Sequence, residues 1–272
     1  MLKFMYITNR PEIAQIAEDA GVDRIFVDME SLDKAQRQCR MDTVLNAHTI
    51  EDVQRIRAAV RRADLMVRVN HIYPESESEI NAVIAAGADI IMLPYFKSVQ
   101  EVEHFLRFVD GRARTVLLFE TPEAVEHIDE ILALPGIDEC LVGLNDLHLG
   151  YGRKFLFELV ADGTVERLCR KFREAGKVYG FGGIAQLGGG TLNSALILSD
   201  HVWWGSSLVI LSRSFCDLLQ VADLDEVHHL FQTEVARLRN EEERLHGCDD
   251  AYFAENHRAL QTAVHRIVES MA

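Results

Sequence analysis

The chain has 272 residues, 48% hydrophobic and 26% charged, which are globular proportions that exclude disordered, collagen-like and coiled-coil classes. Acidic residues outnumber basic ones by 43 to 28, and the net charge of −15 argues against a nucleic-acid partner. No apolar run reaches the ~18 residues of a membrane helix, and the cysteines (Cys39, Cys140, Cys169, Cys216, Cys248) show no CxxC spacing, so a cytoplasmic protein with reduced thiols and no membrane partner is expected.

Short runs rich in β-branched and aromatic residues alternate with longer segments of helical period. Residues 4–7 read as a strand, and Pro11 opens a helix over 11–20, where its missing N–H is harmless. A strand at 24–28 and a polar stretch lead to a helix over 49–60, which Thr49 caps with Asp52 three residues on. The third strand is expected at 65–70 with a helix at 78–86, and the fourth at 90–93 with a helix at 99–108. The fifth falls at 116–120 with a helix at 122–134, and the sixth at 139–143, followed by a loop and a helix at 164–175. The seventh is placed at 178–181, before a glycine-rich loop and a helix at 192–199. The eighth is placed at 201–205, with a helix at 208–220.

Eight strand–helix units in this length predict an α/β fold, a closed (β/α)₈ TIM barrel over residues 1–220. Residues 221–272 read as two helices broken at His246-Gly247-Cys248-Asp249-Asp250. This helical extension is too short for a core of its own. Its apolar stripe is expected to pack on the barrel or on a neighbouring subunit, giving a homo-oligomer.

In such a barrel, chemistry gathers where strands end and the following loops begin. The polar residues at those points are Asp28, Glu30, Arg68, Asn70, Glu120, Asn145 and Asp146, with His48, His71 and His148 close by in sequence. A carboxylate ending the apolar run Val116-Leu117-Leu118-Phe119-Glu120 costs free energy unless something pairs it. Glu120 and Asp146 come from adjacent strand ends, and two readings stand. Together they suit a hard divalent cation, Mg²⁺ or Mn²⁺; alternatively, Glu120 pairs with a neighbouring arginine as a structural salt bridge. The glycines over 180–190 read either as an anion cradle or as permission for tight turns. Trp203-Trp204 reads as packing, and Glu241-Glu242-Glu243 as a solvated helix face.

Four segments together resemble the HpcH/HpaI family of metal-dependent 2-oxo acid aldolases and citrate lyase β chains. They are Gly21-Val22-Asp23-Arg24-Ile25-Phe26-Val27-Asp28-Met29-Glu30, Met66-Val67-Arg68-Val69-Asn70, Gly87-Ala88-Asp89-Ile90-Ile91-Met92-Leu93-Pro94, and Phe119-Glu120-Thr121 with Gly143-Leu144-Asn145-Asp146-Leu147. The resemblance implies a (β/α)₈ barrel, usually a homo-oligomer. It implies that Glu120 and Asp146 bind Mg²⁺ or Mn²⁺, which a pyruvate-like 2-oxo acid or its enolate chelates. Arg68 then hydrogen-bonds the oxygen that becomes the enolate, with Asn70 and Asn145 as further substrate contacts. The activity implied is a lyase, a class II pyruvate-type aldolase joining or releasing an aldehyde.

Two departures bear on the proton transfer. Ser31 stands where the family has a histidine that acts as base with an aspartate, here Asp28, and Leu118 stands where it has a glutamine. A serine does not perform that transfer unaided near pH 7. His148 is the first candidate base, since Asp146-Leu147-His148 keeps it near the metal, followed by a metal-bound water and His71. Two further readings on the same barrel are a citrate-lyase-like enzyme acting on an acyl-CoA or other thioester, whose sign is a basic groove, and a 2-oxo acid binding protein without turnover.

Overall fold

Eight parallel strands close on themselves in chain order, so that β1 is hydrogen-bonded to both β2 and β8. The computed structural model describes residues 1–32, 48–218 and 223–271. The polar stretch at 33–47, Cys39 and the proposed boundary at 220/221 lie outside the described residues.

The first half of the barrel runs β1 (Lys3–Ile7), α1 (Pro11–Asp19), β2 (Arg24–Asp28), α2 (Ile50–Ala59), β3 (Asp64–Arg68), α3 (Ser76–Ala85), β4 (Ile90–Leu93) and α4 (Val99–Val109). The second half runs β5 (Arg114–Phe119), α5 (Pro122–Glu126), α6 (Ile128–Leu132), β6 (Glu139–Val142), α7 (Leu144–Gly150), α8 (Glu158–Ala161), α9 (Thr164–Glu174), β7 (Val178–Ile184), α10 (Ser194–Trp203) and β8 (Leu208–Leu211). The expected Thr49–Asp52 capping box is present, and Ser98 with Glu101 forms a second one at α4.

The strands are buried on both faces, which is why they read as near-continuous apolar runs. One set of side chains (Met5, Phe26, Met66, Met92, Val116, Leu118, Leu141, Leu208) fills the barrel interior. The other (including Phe4, Ile25, Val67, Ile91, Phe119, Val142) lies under the helices. Leu118 therefore belongs to the packed interior. At the opposite end from the strand termini, buried Arg24 at the start of β2 grips Glu139 at the start of β6 through two hydrogen bonds of 2.5 and 2.6 Å. Arg114 links Asp64 to the same cluster.

Several expectations need correction. The eighth strand is Leu208–Leu211, not 201–205, and no helix spans the described part of 208–220, where only a 3₁₀ turn (Arg213–Phe215) follows. His201 and Trp203 instead end α10. Both apolar runs were short enough to suit either structure. What decides is packing: His201 stacks on Phe181 at 3.7 Å, and Trp203 lies against Phe253 of the C-terminal extension. Trp203-Trp204 is thus packing, but on a helix. The glycine-rich segment is partly strand, since Gly180, Gly182 and Gly183 lie in β7. A Cβ on Gly180 would stand 1.9 Å from the Leu208 carbonyl oxygen, so glycine is required for β7 to approach β8 there.

The two C-terminal helices are α11 (Leu224–Leu245) and α12 (Asp250–Ser270). Within the same chain, α11 packs on α1 and α10, and α12 on α10 and α8. Their apolar stripe, Val227, Phe231, Val235, Leu238, Leu245, Phe253, Leu260 and Val264, is buried there. An uncovered stripe therefore supplies no argument for an oligomer. Glu242 is not solvated either: it is buried, accepts the Leu2 N–H and pairs with Arg239. Cys140, Cys169 and Cys216 are buried unpaired thiols, and burial pushes Cys169 up to about 12.

Candidate active site

Asp28 and Arg68 occupy the last paired positions of β2 and β3, directly opposite one another. Arg68 donates Nε to Asp28 Oδ1 and Nη2 to Oδ2, both at 2.8 Å, and its Nε lies 3.4 Å from Glu30. Asp28 and Glu30 are buried. Burial works against the Arg68 charge, but Asp28, then Glu30 and, more weakly, Glu120 outweigh it and hold the guanidinium well above its usual pKa. A permanently charged planar fork is thus fixed at the barrel mouth with Nη1 outside the Asp28 pair.

Glu120 follows β5 directly and is buried. Its Oε1 accepts the Tyr95 N–H at 2.9 Å. Tyr95, just past β4, holds a left-handed φ of 48°, an uncommon conformation for a non-glycine residue and one that turns its amide toward the carboxylate. On the other side lies Gly143, between β6 and α7. A Cβ at Gly143 would stand 2.7 Å from both Cβ and Oε2 of Glu120, so the glycine makes a cradle that a methyl group would fill. Asp146 sits in the first turn of α7, partly buried, with exposed Asn145 beside it. β5 pairs with β6 through Phe119 and Val142, so the two acidic residues rise from neighbouring strands.

This donor set fits a hard divalent cation, since it is all carboxylate oxygen with no thiolate or imidazole. Among the described residues no group of three or more His, Cys, Asp or Glu forms a ready cage. A cation held by Glu120 and Asp146 would take the rest of its shell from water or substrate. The other reading, with Glu120 as an arginine's main partner, is not the one that Arg68 adopts: its two-pronged contact goes to Asp28.

Asn70 has partners that its place in sequence does not reveal. Its Oδ1 accepts the N–H groups of Ser31 and Leu32 at 2.9 and 3.0 Å, and its Nδ2 donates to Glu79 at 2.7 Å. The carboxamide is thus engaged within the protein. His148 lies buried on α7 with Nδ1 3.0 Å from the Leu144 carbonyl oxygen, which places the proton of the neutral ring on Nδ1. His71 is half-buried just beyond β3. His48 stands closer to the cluster than its position in sequence suggests: its Nδ1 accepts the Asp28 N–H at 3.0 Å.

Sequence reasoning missed Glu79, Tyr95 and Gly143. Glu79 looks like any acid in a helix's first turn, and Tyr95 acts through its backbone. Gly143 had a signal, a glycine between a strand and the Asn145-Asp146 dipeptide, that only a three-dimensional neighbour makes legible.

The fold has many solved counterparts. An HpcH/HpaI aldolase from Desulfitobacterium hafniense DCB-2 superposes with a TM-score of 0.61 at 19% identity, over 78% of this chain and 86% of that one. An HpcH/HpaI aldolase/citrate lyase family protein from Burkholderia cenocepacia J2315 gives 0.63 at 16% identity, over 83% and 94%. A citrate synthase, SbnG, gives 0.57 at 16% identity, over 89% and 95%. No curated protein matches the chain. The family model for HpcH/HpaI aldolase/citrate lyase matches residues 3–180, and the chain belongs to that family, whose members are generally lyases or related enzymes.

Proposed function

We propose that the protein is a metal-dependent carbon–carbon lyase that acts on a pyruvate-like 2-oxo acid, with an aldehyde as the second partner. The observation that carries this reading is the pairing, at one barrel mouth, of an oriented guanidinium with a cradled carboxylate: Arg68 on Asp28, Glu120 on Gly143. Glu120 and Asp146 would hold Mg²⁺ or Mn²⁺, which supplies Lewis-acid polarisation of the substrate's oxo group when bound. Arg68 binds the substrate's oxygen and meets the negative charge that develops there. Asp28 keeps the guanidinium plane fixed, so that little reorganisation is needed when charge appears. His148 takes the proton from the carbon next to the oxo group through Nε2, the nitrogen left as acceptor when Nδ1 holds the Leu144 carbonyl. His71, half-buried just beyond β3, is the competing base; His48 is less suited, because its Nδ1 lone pair already accepts the Asp28 N–H. A homo-oligomer and a cytoplasmic location accompany this reading and rest on the family resemblance.

The test is Mn²⁺-dependent exchange of the pyruvate methyl hydrogens for deuterium, followed by proton NMR. Exchange is expected from the unmodified protein and should vanish in Glu120→Gln. Binding of pyruvate without any exchange would replace the lyase with a 2-oxo acid binding protein.

A second reading, a lyase acting on an acyl-CoA, has one observation in its favour. A cavity of about 390 Å³ between α5–α6 and α9 is lined by Arg167, Arg170, Arg153 (paired with Asp162) and Lys171 (paired with Asp129) above an apolar floor that includes Ile128 and Leu168. Calorimetry with coenzyme A separates the two: micromolar binding lost in an Arg167→Ala, Arg170→Ala double variant would favour the thioester.

A further inference from the structure

We propose that Glu79 is a positioning residue for this site: through Asn70 it holds the backbone of Ser31 and Leu32, and so sets where Glu30 stands against Arg68. The proposal rests on the lyase reading above. Glu79 lies in the first turn of α3 with its carboxylate turned back toward the end of β3. Its Oε1 accepts Asn70 Nδ2 at 2.7 Å, and the Asn70 backbone N–H faces both its oxygens at 3.3 and 3.4 Å. Two donors of Asn70 thus converge on one group that only accepts.

That convergence fixes which way the Asn70 carboxamide points. With Nδ2 on Glu79, Oδ1 is delivered to the N–H groups of Ser31 and Leu32. The flipped carboxamide would set Nδ2 against two N–H donors and Oδ1 against a carboxylate, so it is excluded. Three elements are tied in series: α3 through Glu79, the end of β3 through Asn70, and the segment after β2 through Ser31 and Leu32. Glu30 precedes Ser31, its N–H bonds to Asp28 Oδ1, and its carboxylate lies 3.4 Å from Arg68 Nε. A turned Asn70 would release Ser31 and shift Glu30, and the guanidinium would lose one side of its frame. Glu79 itself touches neither the guanidinium nor the carboxylates of the proposed cation site, so its influence is indirect.

The experiment compares Glu79→Ala and Glu79→Gln, using pyruvate with Mn²⁺ and deuterium exchange at the methyl group. The glutamine keeps one acceptor oxygen for Asn70 Nδ2, so its kcat should stay within about threefold of the unmodified protein, whereas alanine should lose about tenfold or more. Backbone amide exchange by mass spectrometry on peptides covering residues 26–32 should quicken in the alanine variant and stay near normal in the glutamine one. Full kcat in Glu79→Ala, or equal losses in the two variants, would overturn the proposal. If the unmodified protein exchanges no methyl hydrogen, the lyase reading falls on its own. The amide measurement then still decides the clamp, and unaltered exchange at Ser31 and Leu32 in Glu79→Ala overturns it.

Discussion

Arg68 and Asp28 meet through two parallel hydrogen bonds of 2.8 Å across the final register position of β2 and β3. The geometry uses the flat fork of arginine, which a lysine ammonium does not reproduce. Arg68→Lys is expected to lower pyruvate exchange by about 100-fold while the protein stays folded. Asp28→Ala is expected to cost stability as well, about 1–3 kcal/mol, since it removes the two-pronged partner of a half-buried guanidinium and leaves it Glu30 alone at 3.4 Å. Urea unfolding of both variants beside the exchange assay checks the contrast.

Gly143 gives a cleaner probe of the proposed cation site than either proposed ligand. Its φ of −85° suits any residue, so an alanine there brings a steric conflict without backbone strain, chiefly with Glu120 at 2.7 Å and less with Leu118 at 3.2 Å. Gly143→Ala should displace the carboxylate and weaken Mn²⁺ binding by about tenfold or more, as changes beside metal ligands commonly do. Electron paramagnetic resonance of free Mn²⁺ reads this directly. Unchanged affinity would remove Glu120 from the ligand set.

The Arg24–Glu139 pair predicts the reverse separation, stability without activity. It is buried at the N-terminal end of the barrel, away from the strand ends that carry the site. Glu139→Ala should cost about 3–5 kcal/mol by leaving buried Arg24 with only a 3.8 Å contact to Asp64. Exchange per folded molecule should be unaffected. Replacing both partners with apolar residues should restore most of the loss.

A pH dependence follows from the Asp200–His257 pair, which joins α10 to α12 at 2.9 Å. The bond to Asp200 raises the His257 pKa against the effect of burial, with a smaller contribution from Glu166. A histidine raised on folding contributes stability that is complete below its unfolded value, near 6.5, and is lost as pH rises through the folded value. Burial also raises Asp200, so its contribution falls with rising pH too, from about pH 4 upward. The unfolding midpoint should therefore drop more steeply above pH 6.5 in the unmodified protein than in His257→Gln. Equal slopes would dismiss the pair as a source of the dependence.

Much of this was legible in the sequence because it depends on neighbours along the chain. The alternation of apolar runs with capped helices gave seven strands near their observed places. The eighth failed at 201–205, where Val202, Trp203 and Trp204 are apolar because they face other helices and not because they form a sheet. Local signals do not separate those causes. The same limit applies at the site. Arg68, Asp28 and Glu120 are conspicuous because a charge at the end of an apolar strand demands an explanation. The contacts of Asn70 with Glu79 and the amides of Ser31 and Leu32 were not legible, because those partners come from other elements. Glu242 sat in an acidic run and read as surface, although its buried contact is with Leu2, far away in sequence.

That last contact has a bearing on how the protein acquires its shape. β1 has one neighbour, β8, more than 200 positions downstream, and α11 then clasps it through Glu242 on the Leu2 N–H and Arg239 on both the Leu2 carbonyl and Asp23. During synthesis, the first strand leaves the ribosome with one edge open, and it stays open until almost everything else has followed. Contacts of such long sequence separation slow folding and leave an exposed strand edge that invites pairing with other chains. Refolding from denaturant should accordingly be slow and sensitive to protein concentration, with Glu242→Ala increasing aggregation on refolding more than it lowers equilibrium stability.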